Sequence, residues 1–272
     1  MTQKSRLDVL LVARRLAESR SQAQRLVMAG QVRVNGQVVG KPAAQVDESA
    51  EVTVERGPRF VSRGGEKLQA AFDAFSLDVS GFTCADVGAS TGGFTDCLLQ
   101  HGAAKVYAVD VGKGILHWKL RNDPRVVVME STNARYVEAL PETVDFVTVD
   151  ASFISLKILL PVVKNWFAAA PNSPSPAVNS VLMLIKPQFE AGRRVVARGK
   201  GVVRDPAVHR QVLMEVLTFA QDAGYHLLGL ARSPVRGPKG NVEFLGWLGL
   251  GEREPLEIPV AQLVSQAAGN LH

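Results

Sequence analysis

Two cysteines in 272 residues cannot build a disulfide framework or a thiolate metal site, and both, Cys84 and Cys97, fall in one strand-to-helix stretch that takes small apolar fillers. No apolar run approaches the roughly 18 to 20 residues of a membrane span, and the opening Met1 to Arg6 lacks the apolar core of a signal peptide. The expected location is therefore cytoplasmic, with no membrane partner. No internal repeat, no metal-ligand spacing and no nucleophile elbow are present, so neither a resident metal nor a serine-type hydrolase is expected.

Charge is informative by position. Residues 1 to 67 carry twelve Lys/Arg against seven Asp/Glu, whereas the remainder carries nineteen of each, so the net +5 lies at the N-terminal end. An anionic polymer, nucleic acid first, is the partner such an end would take.

Leu7, Leu10 and Leu11 recur at helical spacing and predict a helix ending near Leu16. Ser19-Arg20-Ser21-Gln22 reads as a capping box for a second helix with Ala23, Leu26 and Val27 inward and Arg20, Gln24 and Arg25 outward. Val32 to Val34, Asn35-Gly36 and Gln37 to Val39 form a two-residue hairpin signal, and Glu51 to Glu55 a further strand. The expected division is 1–57 for this basic unit, 58–63 for a short joint stiffened by Pro58, and 64–272 for the rest.

The larger part is organised around Thr83 to Asp96, where a short apolar run breaks into Gly88-Ala89-Ser90-Thr91-Gly92-Gly93 and continues as an amphipathic helix. A strand, glycine turn and helix suit an anionic or nucleotide-like ligand, although Gly-x-x-x-Gly-Gly is not the pyrophosphate fingerprint. A second strand, Lys105 to Val109, ends at Asp110, where such folds hold a ribose diol. Further strands are expected at 125–129, 144–150 and 181–185, the last wholly apolar yet ending in Lys186. Residues 171–180 read as a loop, as does the basic stretch from Arg193 to Arg204, and two closing strands suggest an antiparallel edge hairpin. The fold class is α/β, a doubly wound parallel sheet whose ligand crevice lies beyond the carboxyl ends of its strands. Gly88, Asp110, Asp150 and Lys186 all fall there, and Lys67, Asp150, Lys186 and Glu243 form a candidate ion-pair network.

Residues 6 to 36 resemble the S4 RNA-binding module, which implies a small α+β domain whose Arg6, Arg14, Arg15, Arg20 and Arg25 contact structured RNA. Asp86 to Asp96 with the Lys-Asp-Lys-Glu set resembles the FtsJ-like, S-adenosylmethionine-dependent ribose 2′-O-methyltransferases, hence a Rossmann-like methyltransferase sheet. Together with Ser62 to Leu68, Asp150 to Leu156 and Lys186-Pro187-Gln188-Phe189-Glu190, the whole resembles the TlyA, or haemolysin A, family. That resemblance implies methylation of cytidine ribose in ribosomal RNA or ribosomal subunits, with Lys67, Asp150, Lys186 and Glu243 catalytic. S-adenosylmethionine is then expected on Gly88, Ala89, Ser90, Gly92, Gly93, Phe94, Asp110, Asn133 and Asp150, and further RNA contacts from Arg63, Arg193 and Arg194. A monomer is favoured. The competing classes are a non-catalytic RNA-binding ribosome-assembly factor and, further off, a pore-forming haemolysin.

Overall fold

In the computed structural model, residues 3–55, 57–168, 177–251 and 259–269 are described, Arg193 without its side chain. Residues 171–176 of the expected loop lie outside the described residues. The chain divides into two compact units, 1–59 and 60–272.

In the first unit, strand β1 (Lys4–Arg6) leads directly into α1 (Leu7–Ala13), and α2 (Arg20–Met28) is followed by β2 (Val32–Val34), β3 (Gln37–Val38), β4 (Gln45–Asp47) and β5 (Val52–Val54). Helix α1 stops at Ala13, a turn earlier than its leucine spacing suggests, and Arg15 turns left-handed at φ 58°. Ser19 Oγ accepts from Gln22 N at 3.2 Å, and Gln22 Oε1 accepts from Glu18 N at 2.6 Å, one residue upstream of the ordinary capping box. Asn35 and Gly36 both have positive φ, the geometry that a two-residue hairpin between β2 and β3 requires. Pairing of β1 with β4, for which the sequence has no alternating pattern, completes the unit around Leu7, Leu11, Ala23, Val27 and Val32.

The second unit opens with α3 (Gly64–Phe75), then runs β6 (Thr83–Val87), α4 (Gly93–Gln100), β7 (Lys105–Val109), α5 (Trp118–Arg121), β8 (Val126–Met129), β9 (Phe146–Val149) and α6 (Leu156–Val163). It continues through β10 (Ser180–Ile185), α7 (Pro187–Glu190), α8 (Arg193–Arg198), α9 (Pro206–Asp222), β11 (His226–Arg232), β12 (Phe244–Gly249) and α10 (Val260–Gly269). The seven strands lie in the order β11-β12-β10-β9-β6-β7-β8. Five are parallel, and β12 runs antiparallel between β10 and β11, so only β11 of the closing hairpin is an edge.

Burial explains the uniform apolarity of the central strands. Along β10, Val181, Met183 and Ile185 enter one core while Leu182 and Leu184 enter the other, so both faces of the sheet are covered. Phe60 and Val61, expected in the joint, are built into this unit: Phe60 is buried against Gly65, and Val61 N donates to Asp96 at 2.9 Å. The stretch from Arg193 to Arg204, expected as a basic loop, instead begins with the short helix α8, and α9 follows it with N-cap Asp205 accepting from Ala207 N at 2.8 Å.

Candidate active site

The strand order reverses at β6, whose neighbours β7 and β9 lie on opposite sides, and the crevice rule for such sheets points to the carboxyl end of that trio. Gly88, with φ +83°, follows β6, and a Cβ there would lie 2.8 Å from the carbonyl oxygen of Asp150. At Gly92, φ +96°, a Cβ would strike the Leu120 side chain at 2.2 Å. The glycine turn was expected to open the backbone to a ligand. At these two positions it admits the protein's own chain: Gly88 lets the end of β9 approach that of β6, and Gly92 seats Leu120 of α5.

The open space is beside the turn. A cavity of about 270 Å³ is lined by Gly88, Ser90, Asp110, Ile115, Asn133 and Asp150, among others. Asp110 accepts from Ser90 N at 2.8 Å through one oxygen and from Gly112 N at 2.7 Å through the other. Each oxygen keeps a further lone pair, the arrangement that a vicinal diol needs. Asn133 lines the wall, but its Oδ1 already accepts from Arg135 N at 3.1 Å. Glu130, which the sequence reading passed over, accepts from Gly114 N, Ile115 N and Leu116 N and pairs with Arg121 at 2.6 Å. It thereby holds the loop carrying Ile115, and the Arg121 guanidinium, followed by the Gly114 amide, lowers its carboxyl pKa to about 2.

The other expected cofactor residues separate from this group. Ala89, Gly93 and Phe94 line a neighbouring cavity of about 430 Å³ with Arg63 and Lys67, and Phe94 is buried in the core facing α3. Gly92 lines neither cavity, being filled by Leu116 and Leu120.

The four charged residues come together as a chain. Lys67 Nζ, reaching from α3, lies 2.6 Å from Glu243 Oε2 and 4.0 Å from Asp150 Oδ2. Lys186 Nζ lies 2.5 Å from Asp150 Oδ1 and also donates to the Ala151 carbonyl and Ser152 Oγ, each at 3.1 Å. Lys67, Lys186 and Glu243 are buried. Topology explains the gathering: because β12 is antiparallel, its start sits beside the end of β10, with Ile185 opposite Phe244, so Lys186 and Glu243 emerge together. A lysine in the first turns of α3 opposes the helix dipole, and two carboxylates supply the compensation.

An FtsJ-like methyltransferase family model matches residues 60–250, and an S4 domain model matches residues 5–52. The chain belongs to the FtsJ-like methyltransferase family. It is 47% identical, over 97% of its length and 92% of the relative's, to YqxC of Bacillus subtilis (strain 168), a candidate rRNA methyltransferase. It is 46% identical to the 16S/23S rRNA (cytidine-2′-O)-methyltransferase TlyA of Mycobacterium tuberculosis (strain ATCC 25618 / H37Rv), covering 91% of each chain. A solved candidate hemolysin from Streptococcus thermophilus superposes with a TM-score of 0.70 at 42% identity, covering 99% of this chain and 97% of that one.

In this FtsJ-like methyltransferase, the Lys-Asp-Lys-Glu chain faces a third cavity, about 490 Å³, also lined by Ser152, Phe153, Gln188, Phe189 and Lys239. All three cavities share Gly88, Ser90 and Asp150, so a ligand beside Asp110 and one beside Lys186 would meet at Asp150. Phe153 is 91% exposed at φ +64°, an uncommon conformation for an aromatic residue, and its ring sits 4.9 Å from that of Phe189. The sequence reading singled out neither ring. Among the described residues no group of His, Cys, Asp and Glu is placed to hold a metal ion, and no helix is long and apolar enough to cross a membrane.

The S4 unit sorts its arginines. Asp8, fully buried, accepts from Arg6, Arg20 and Gln24, each at 3.0 Å, and these bonds, Arg6 first, hold its carboxyl well below the usual range. Arg20, which stays exposed, and Gln24 are thus both bonded to Asp8, and Arg14 donates to the Ala50 carbonyl at 2.7 Å and to that of Glu48. Arg15 and Arg25 are exposed. In the second unit Arg63 and Arg194 are exposed, and the Arg193 side chain lies outside the description.

Proposed function

We propose that this chain transfers a methyl group from S-adenosylmethionine to the 2′-hydroxyl of a cytidine in ribosomal RNA. The observation that carries the reading is the ion-paired chain Glu243–Lys67–Asp150–Lys186 at the junction of the cavity beside Asp110 and a wider one lined by Phe153 and Phe189. The named activity of the mycobacterial relative supports it.

Bound beside Asp110, S-adenosylmethionine supplies a methyl group already activated for transfer. Asp110 holds its ribose, and the loop pinned by Glu130 closes one wall. The chain's remaining task is to align a ribose hydroxyl with that methyl and remove one proton. Lys186 Nζ is the acceptor. To act it must first release the proton with which it pairs Asp150; the amine then takes the hydroxyl's proton, and the ammonium so formed returns to Asp150, the Ala151 carbonyl and Ser152. Glu243 and Lys67 orient Asp150 from the other side. Phe153 and Phe189 offer the target base a stacking face. The S4 unit presents Arg15 and Arg25 to RNA, while Arg6, Arg14 and Arg20 hold its fold.

The test is transfer of labelled methyl from S-adenosylmethionine to separated, unmethylated ribosomal subunits and to naked rRNA. Label is expected at cytidine, in an alkali-resistant dinucleotide, because a 2′-O-methyl group blocks cleavage at its own phosphodiester. RNA binding with no incorporation into any substrate would leave the assembly-factor reading in place of this one.

A further inference from the structure

Beside the wide cavity lies a fourth, about 330 Å³, lined by Arg204, Arg236 and Lys239 with Val202, Val203, Gly240 and Val242 and no carboxylate. Among the described residues these three cations have no ion pair, and all are exposed. The neighbouring acid, Glu243, does not line this cavity and is paired with Lys67 at 2.6 Å.

The walls are tied in place. Buried Asn241 donates to the Gly201 carbonyl at 3.0 Å and accepts from Val203 N at 3.0 Å, sewing the segment before α9 to the turn before β12. His209 reinforces it through the Val203 carbonyl at 3.0 Å. Lys239 lines both this cavity and the wide one, so the basic walls continue from the lysine-carboxylate chain. Three unneutralised cations on a braced frame favour an anion, and the one that must accompany a ribose bound at Lys186 is the flanking phosphodiester. We infer that this cavity is a phosphate subsite for the RNA strand next to the target nucleotide, a reading that rests on the proposed reaction.

The experiment compares wild type, Arg204→Gln/Arg236→Gln and Arg204→Lys/Arg236→Lys for rRNA binding across salt concentrations, with S-adenosylmethionine affinity measured alongside. Loss of two phosphate contacts should flatten the slope of log affinity on log salt by about 1.4, shrinking the affinity lost between about 50 and 200 mM salt by roughly sevenfold. The lysine pair should retain the slope, and cofactor affinity should stay within about twofold in both. An unchanged slope in the glutamine pair, or an equal loss in the lysine pair, overturns the subsite. Binding reads the subsite directly, so absence of methyl transfer by wild type would count against the reaction alone.

Discussion

Lys186→Ala is expected to lower methyl transfer by about 10³-fold or more while leaving S-adenosylmethionine affinity within a few-fold. The side chain ends β10 and lines the wide cavity but not the one beside Asp110, so truncation removes the proton acceptor without touching the diol site. Glu243→Gln tests the remainder of the chain. It keeps a hydrogen bond to Lys67 but deletes the charge, so it should cost less than Lys186→Ala, and the double variant should fall little below the single, because the residues act as one unit. Single-turnover rates with saturating cofactor decide the matter. Retained turnover in Lys186→Ala would remove that residue from the role. A loss confined to cofactor affinity would make it a binding residue.

The sequence makes the strand ends easy to read because buried parallel strands are written as short apolar runs, and a charge that interrupts one, as Asp150 and Lys186 do, marks a strand end in a crevice. What periodicity cannot carry is the identity of a partner. Glu243 meets Lys67 only because β12 enters the sheet antiparallel, and nothing local to residues 241–250 records that neighbour. Asp8 has the spacing of a surface residue, yet Arg6, Arg20 and Gln24 close over it from positions two to sixteen residues away. Two of the arginines that the S4 resemblance assigns to RNA, Arg6 and Arg20, therefore also take part in the fold. The glycine turn shows the same limit from the other side. Gly-x-x-x-Gly-Gly correctly locates the crevice, but which atoms fill the missing Cβ positions, the backbone of Asp150 and the side chain of Leu120, follows from tertiary packing. Phe153 lacks any sequence signal because an exposed aromatic at positive φ has no pattern to belong to.

Asp86 leads to the second large effect. It lies on β6, fully buried, with Thr95 Oγ1 donating at 2.7 Å and Thr148 Oγ1 at 3.0 Å. Burial outweighs these two hydroxyls and pushes its pKa up from 3.8 to about 6. The folded state thus binds this proton more tightly than the unfolded chain. The stabilisation is complete below about pH 4, declines as pH rises through 6, and is gone above it, a change of about 3 kcal/mol for this one group. Asp86→Asn keeps a neutral side chain of the same shape at every pH and should abolish that part of the decline. All three tryptophans, Trp118, Trp166 and Trp247, lie in the second unit, so urea unfolding followed by tryptophan fluorescence reads this unit alone. Between pH 4 and about 8, wild type should lose roughly 3 kcal/mol relative to Asp86→Asn. Parallel curves would show that the carboxyl is ionised throughout and that the two threonines suffice to hold the charge. Asp86 lines none of the cavities described above, so the variant should keep its methyl transfer at pH 8.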